Sequence, residues 1–508
     1  MKTIGELLNF ALKSYADLPA MRWLEKKEIR ERSYRELGED ISAVRNGLAE
    51  GGFHRDHIAL IGTSSVEWVT AYFAAATGEN AAVPLDAGLP AEDLLELLNR
   101  AHAKALFLSP KNKNLAQQVR ANCPEVRKIW LLSEKKEDGL ETIGDLKAAG
   151  AGKEKEFHCM PGDIATIIFT SGTTGKSKGV MLTQENIAQN VESVQYEKEP
   201  GCVMLSVLPV HHAFCLVMDW MKGFSLGAVV CINDSFMHMV RNMSIFKPEV
   251  MLMVPLMIEM IHKRLSAADP AIPKKMLAEK VFGGNLKIIF TGGAHLDPYY
   301  IDRFAEYGVE VLEGYGMSEC SPVISSNTPD HHKRGSIGRP LPNAQIRIEN
   351  GEIQVRSTSV MKGYLDMPEE TEETLKDGWL HTGDKGYLDE DGFLFINGRV
   401  KNLIILSNGE NISPEEIENR LALNPLVGEV VITGENNGLA ARIYADQDVI
   451  RVKELSGDAL REGLQDVLDT YNRSQPTYRQ ITGLVVRKNP FIRNATGKII
   501  RTEAEVDE

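Results

Sequence analysis

Apolar and polar positions along this chain follow two periods that take turns. Residues 57–62 form a short apolar run of the kind a strand buried on both faces would show, and 65–77 carry apolar residues at helical spacing. The alternation continues with a strand pattern at 81–85, a helical one at 92–101 and a strand at 105–108. Strands separated by helices of this length predict a layered α/β domain with largely parallel sheets. Further apolar runs at 164–169 and 286–290 predict more buried strands. The second ends in Thr291-Gly292-Gly293-Ala294, and Asp297 and Pro298 then read as N-cap and first turn of a helix. A strand at 393–396 stops at Gly398-Arg399-Val400-Lys401-Asn402, where a domain boundary is expected. Beyond it come a strand at 403–406, a turn at 407–410 and a helix start at Ser413-Pro414-Glu415-Glu416. Strands at 429–433, 440–444 and 481–487 and a helix at 455–468 complete a small α+β domain.

Composition narrows this picture. The chain has 508 residues, enough for two or more cores, with 43% hydrophobic and 25% charged residues. Acidic residues outnumber basic ones by 71 − 57 = 14, which argues against non-specific nucleic-acid binding. The six cysteines show no metal-ligand spacing and read as free thiols in a reducing compartment. Residues 1–20 are amphipathic and carry Glu6, Lys13 and Asp17, a surface helix and not a signal peptide. The most apolar stretch, 202–232, is broken by Pro209, His211, His212, Asp219 and Lys222, so it reads as core and not as a transmembrane segment. A cytoplasmic protein is the expectation.

The densest chemistry lies at 170–179, TSGTTGKSKG, with three glycines, five hydroxyls and two lysines. Glycine lets backbone approach a ligand, while hydroxyls and lysines supply donors and charge, so the stretch suits phosphate. A Walker A loop would need glycine where Thr170 stands. A polar turn between strands is the other reading. His211 and His212 sit in an apolar context, where a histidine is more often core than catalyst. The string Glu313-Gly314-Tyr315-Gly316-Met317-Ser318-Glu319 lacks the third glycine of a dinucleotide fingerprint. Asp384, within 378–384, could accept from sugar hydroxyls or stabilise its own turn.

Together these strings resemble the adenylate-forming superfamily: acyl- and aryl-CoA synthetases, peptide-synthetase adenylation domains and beetle luciferases. The match runs through the loop at 170–179, the heptapeptide at 313–319, the segments at 378–384 and 398–402, and Arg493-Asn494-Ala495-Thr496-Gly497-Lys498-Ile499. Ser177 stands where the family usually has proline. The resemblance implies a large N-terminal layered α/β domain over 1–398, a hinge at 399–401 and a small mobile α+β C-terminal domain over 402–508. It implies ATP-dependent activation of a carboxylic acid to an acyl-adenylate, then transfer to the thiol of coenzyme A. Thr170, Ser171, Gly172, Thr173, Thr174, Gly175 and Lys178 would grip the phosphates, with Gly293, Ala294, Gly314, Tyr315 and Gly316 around adenine. Ser318 would meet the α-phosphate, Glu319 with Thr170 would hold Mg²⁺, and Asp384 and Arg399 would bind ribose. Magnesium is content with one carboxylate beside phosphate oxygens, so no dense acidic cluster is needed. Lys401 would be the pivot, and Lys498 would stabilise the adenylation step before giving way to the loop around Gly409.

His212 would line the acyl pocket, as in the acyl-CoA synthetases. Asp219 is the candidate ammonium partner should the substrate be an amino acid. The acid is not legible, and Phe214, Met218, Val254, Gly314 and Val323 are candidate lining residues. Two other functions stay open: a stand-alone enzyme loading a carrier-protein phosphopantetheine, and a nucleotide-binding regulatory protein. A P-loop phosphotransferase is disfavoured by Thr170.

Overall fold

The structure is a computed structural model that describes all residues except 137–138, 171–176, 270, 406–410, 436–437, 494–498 and 505–508. The chain divides into two compact units. The larger comprises Met1–Ala294, Pro298–Ile346 and Val355–Leu380; the smaller comprises His295–Asp297, Arg347–Gln354 and His381–Glu508.

Two large sheets organise the larger unit. In the eight-stranded sheet the order is Gly363–Tyr364, Lys178–Thr183, Ile164–Thr170, Ala81–Leu85, His57–Ile61, Ala103–Leu108, Lys128–Leu131, Glu141–Thr142. Pairing is parallel from Ile164–Thr170 through to Glu141–Thr142 and antiparallel at the other end. The apolar runs are fully buried because helices cover the sheet: Leu94, Leu97 and Leu98 of Ala91–Arg100 and Val119 of Leu115–Asn122 pack on Val83, Leu85, Leu106 and Leu108. Helix Val66–Ala76 starts on Ser65, whose hydroxyl accepts the Trp68 amide, and its Tyr72 hydroxyl meets Thr166 at 2.5 Å.

The nine-stranded sheet runs Arg339–Pro340, Val323–Ser326, Glu310–Gly316, Ile288–Thr291, Val250–Met253, Val203–Ser206, Val229–Ile232, Pro19–Glu25, Glu28–Ser33. It is parallel in the middle and antiparallel at both edges. The hairpin Pro19–Ser33 was not expected from the pattern, since Glu28–Ser33 is an exposed edge strand rich in charge.

The apolar stretch at 202–232 is core, as expected, but in pieces: two strands flank Phe214–Lys222, which is wound as a wide π-helix with five-residue hydrogen bonding. Asp219 on this helix is fully buried, and the Ser206 hydroxyl donates to its Oδ2 at 2.8 Å. One of its oxygens is thus held by a hydroxyl of strand Val203–Ser206.

Burial pushes the Asp219 carboxyl up to about 7, against an ordinary 3.8. Between those values the folded chain keeps a proton that the unfolded chain gives up. The stability from that proton is full below pH 3.8 and is lost as pH rises through 7. The unfolding free energy of Asp219→Asn, relative to the parent, is therefore expected to rise by about 1.4 kcal/mol per pH unit across this window. Denaturant titrations at several pH values measure it, and a flat difference would mean that Asp219 titrates alike in both states.

In the smaller unit, strands Val427–Glu435 and Gly438–Ala445 pair antiparallel and Ile481–Val486 adds in parallel. Helices Pro414–Leu421 and Gly457–Asn472 cover them through Ile417, Leu421, Leu464 and Leu468. Two expectations need correcting. Leu455 lies outside the helix, because Glu454 takes a left-handed φ of 52° and closes the preceding helix, Gln447–Lys453. The strand expected to stop at 396 runs on as Leu394–Arg399, since the ladder continues through Lys385↔Gly398 and Asp384↔Arg399. The six cysteines are free thiols, all buried except the half-buried Cys159. Among the described residues no helix is long and apolar enough to cross a membrane.

Candidate active site

The glycine-rich stretch joins two antiparallel strands in sequence. Ile164–Thr170 and Lys178–Thr183 pair antiparallel, and the last ladder pair is Thr170↔Lys178. A P-loop instead joins a strand to a helix and aims that helix's N-terminus at phosphate, so this topology excludes a Walker A site. Ser171, Gly172, Thr173, Thr174 and Gly175 lie outside the described residues; Thr170 and Lys178 are the feet between which they run.

Two neighbouring parallel strands, Ile288–Thr291 and Glu310–Gly316, bring the other strings together, with Thr291 opposite Glu313. Their C-terminal ends carry Gly292-Gly293-Ala294 and Gly314-Tyr315-Gly316, the place where ligands collect in parallel sheets. Gly316 has to be glycine, because a Cβ there would lie 2.0 Å from the carbonyl oxygen of Pro322. Gly293 takes φ = 84°, a left-handed turn that side chains resist. Tyr315 is buried at the strand's end, and the short helical turn Ser318–Cys320 follows.

Tyr364 joins these parts. It sits on the edge strand opposite Val180, and its hydroxyl donates to Oε1 of Glu319 at 2.8 Å. The Lys178 ammonium lies 4.7 Å from the centroid of the same ring, within cation–π range. Burial, then the Glu319 charge and hydrogen bond, keep the Tyr364 hydroxyl protonated well above its usual range. It is therefore a fixed donor. The Glu319 backbone is pinned as well, its carbonyl accepting the Met361 amide at 2.8 Å. Sequence reasoning missed Tyr364 because a two-residue strand has no periodicity to read.

The two histidines differ in exposure. His212 is exposed and His211 is the enclosed member, with ring centroids 4.3 Å apart. Burial and the neighbouring His212 lower the His211 pKa to about 4 although Asp86 stands 3.8 Å away. His211 is neutral near pH 7. Phe214 and Met218 lie one turn apart on the helix that follows, with Met218 buried; Val254 precedes helix Pro255–Ser266 and Val323 opens the strand beside Gly316.

In the smaller unit Asp384 is buried, and Arg399 opposite it places Nε 3.1 Å from its Oδ1. Lys401 is exposed in the turn Val400–Asn402. Lys498 and Gly409 lie outside the described residues. The stretch bearing Lys498 is flanked by an antiparallel bridge, Arg493↔Ile499. Among the described residues no group of three or more His, Cys, Asp and Glu side chains could hold a metal. A single fixed carboxylate, Glu319, with one oxygen held by Tyr364, fits Mg²⁺ bound mainly through phosphate and water.

The sequence profile of the AMP-binding enzyme family matches residues 9–365, and that of the AMP-binding enzyme C-terminal domain matches 401–507. This chain belongs to the AMP-binding enzyme family. It is 27% identical over 448 residues to a long-chain-fatty-acid–CoA ligase of Mycobacterium bovis, covering 79% of this chain and 74% of the relative. The fold is that of an anthranilate CoA ligase solved with anthranoyl-AMP, at TM-score 0.84 and 20% identity over 99% and 96% of the two chains. It is also that of the o-succinylbenzoate CoA synthetase of Bacillus subtilis solved with ATP and magnesium, at TM-score 0.78 and 24% identity over 98% and 99%.

Proposed function

We propose that this chain is an acid–thiol ligase that activates a carboxylic acid with ATP and passes the acyl group to coenzyme A. The observation that carries this reading is the Lys178–Tyr364–Glu319 chain, which brings the two most specific strings to one place. The kinship with a long-chain-fatty-acid–CoA ligase supports a fatty acid as the carboxylate.

In the first half-reaction a carboxylate oxygen attacks the α-phosphorus and the bond to the β-phosphate oxygen breaks, giving acyl-adenylate and pyrophosphate. The donors of 170–175 and Lys178 take up the leaving charge, and Ser318 holds the α-phosphate. Gly293, Ala294, Gly314 and Gly316 let backbone approach adenine, and Tyr315 stacks on it. Asp384 and Arg399 orient the ribose. Mg²⁺, when bound, neutralises pyrophosphate charge, and Glu319 with Thr170 would hold it. Lys498 bridges the α-phosphate and carboxylate oxygens. In the second half-reaction the thiol sulfur attacks the acyl carbon, AMP leaves, and His212 borders the acyl group. Between the two, the small domain over 402–508 turns about a hinge at 399–401, with Lys401 as pivot, and exchanges Lys498 for the loop at Gly409.

Pyrophosphate release over a panel of fatty, aryl and amino acids, followed by thioester formation with coenzyme A or a carrier protein, tests this reading. Release with fatty acids and thioester with coenzyme A are expected; ATP binding without release under any acid would point to a regulatory protein.

Tyr364→Phe removes the hydroxyl that aims Glu319 but keeps the ring beneath Lys178. The Mg²⁺ concentration for half-maximal pyrophosphate release is expected to rise about fivefold, the worth of one hydrogen bond of roughly 1 kcal/mol. Mg²⁺-dependent thermal stabilisation in the presence of ATP should shift alike. Unchanged Mg²⁺ dependence in both would leave Tyr364 as packing alone.

A further inference from the structure

The strand that carries Asp384, Trp379–Leu388, lies beside Glu352–Ser357 in a five-stranded sheet. One residue before Asp384, Gly383 takes φ = 70°, a left-handed value that a Cβ resists. Its amide donates to a side chain of the neighbouring strand, Oε1 of Glu352, at 2.9 Å. The other oxygen of that carboxylate is held from two sides. His381 Nδ1 lies 2.9 Å from Oε2, and Gln354 Nε2 donates to it at 3.2 Å. Gln354 is itself buried, and its oxygen accepts from Arg347 Nε at 2.7 Å.

Thr382 completes the fastening. Its hydroxyl donates to the Ile353 carbonyl at 2.7 Å and accepts the Asp384 amide at 3.1 Å. His381, Thr382 and Gly383 are thus tied in succession to Glu352 and Ile353, the first two residues of the next strand, and all of them belong to the smaller unit. Arg399 meets the Asp384 carboxylate from the other side at 3.1 Å, while Glu352 fixes the backbone beneath it. Glycine is the softest hinge a backbone has, so without that bond the residue after it would be free to take several directions. A displacement of about 1 Å is enough to take a carboxylate out of hydrogen-bond range of a hydroxyl.

We propose that Glu352 is a positioning residue for the ribose-binding carboxylate: by holding the Gly383 amide it sets the direction in which Asp384 meets the hydroxyls of the nucleotide. This rests on the reading of Asp384 as a ribose ligand. A misaimed Asp384 would lose those hydroxyls while base and phosphates keep their own contacts. The loss would therefore show as weaker selection of ribose over deoxyribose, since a site built to bond a hydroxyl rejects the analogue that lacks it.

The test measures kcat/KM in pyrophosphate release for ATP, 2′-deoxyATP and 3′-deoxyATP with Glu352→Ala, Glu352→Gln and Asp384→Ala in the full chain. The parent should prefer ATP about tenfold over at least one deoxy analogue, as befits one charge-assisted hydrogen bond. Glu352→Ala is expected to bring that preference below about threefold and to lower kcat/KM for ATP itself about fivefold. Glu352→Gln should keep most of the preference, because its amide oxygen still accepts from Gly383. The preference is a ratio within one preparation, so it does not depend on how much of a variant is folded. An unchanged preference in Glu352→Ala overturns the proposal, whether or not the rate with ATP falls. A preference lost equally in Glu352→Gln overturns it too, since the bond to Gly383 would not be the cause. Asp384→Ala separates the two levels. If it abolishes the preference and Glu352→Ala does not, Glu352 alone is excluded. If the parent has no preference, or Asp384→Ala keeps it, Asp384 is not the ribose ligand and the inference falls with that reading.

Discussion

Replacing Lys498 with alanine is expected to slow acyl-adenylate formation by about 10²-fold or more while leaving thioester formation from pre-formed acyl-adenylate near the parent rate. An ammonium shared between two oxygens whose charge is changing acts mainly in that transition state, and such contacts are worth about 3 kcal/mol or more. After the proposed domain rotation, the lysine no longer takes part when the thiol attacks. Thermal stability should hardly move, because Lys498 stands on a short stretch whose flanks are paired independently of it: Arg493 bridges Ile499, and the Ile500 amide reaches the Ile492 carbonyl at 2.9 Å. Both half-reactions are followed on the same folded protein. Adenylation at the parent rate would leave the C-terminal string without its assigned role.

The second large effect falls on stability. Glu418 is buried in the smaller unit and accepts three times: from the Ile432 amide at 2.7 Å, from Arg501 Nη1 at 2.8 Å and from Arg501 Nη2. This bidentate pair fastens the chain just past the Lys498 stretch to helix Pro414–Leu421 and strand Val427–Glu435. Arg501→Met leaves a buried carboxylate with one amide, a change that costs about 3–5 kcal/mol when the charge cannot escape. The smaller unit should unfold at markedly lower denaturant, with exchange of its helix and strand amides accelerating to match. Adding Glu418→Leu should return part of the loss, since an apolar pair leaves no orphaned charge. A single-variant loss below about 1 kcal/mol would show that the pair is solvent-screened.

How much of this was legible depended on whether the signal was local. Buried parallel strands are continuous apolar runs, so 57–62, 81–85 and 105–108 could be read directly. Glu28–Ser33 could not, because an exposed edge strand reading EIRERS lacks any apolar face. Nor could the π-helical winding of Phe214–Lys222, because Cys215 to Met221 are all buried and an element buried nearly all round shows no stripe from which its period could be read. The chemical strings were legible one by one because each carries its donors within ten residues. What joins them was not: Tyr364 links two of them from a two-residue edge strand with no pattern of its own. The two histidines show the limit most simply. One apolar context encloses both in sequence, and only the turn after Val203–Ser206 decides that His211 is shielded while His212 is exposed.

An acyl-adenylate is an indiscriminate electrophile, and the acceptor it awaits is a thiol, so the enzyme's own cysteines are potential rivals of coenzyme A. Burial raises the pKa of all six, Cys202 to about 11 and Cys231 and Cys320 to about 12. Thiolate is the attacking form, and with each pKa above 9.0 less than about one part in a hundred of any of them is ionised at pH 7. Cys320 is the sharpest case: it follows directly on Glu319, whose charge adds to burial in keeping the sulfur protonated. A catalyst that makes activated acyl groups is thereby guarded against labelling itself, and the acyl group stays available for the thiol that arrives from solution.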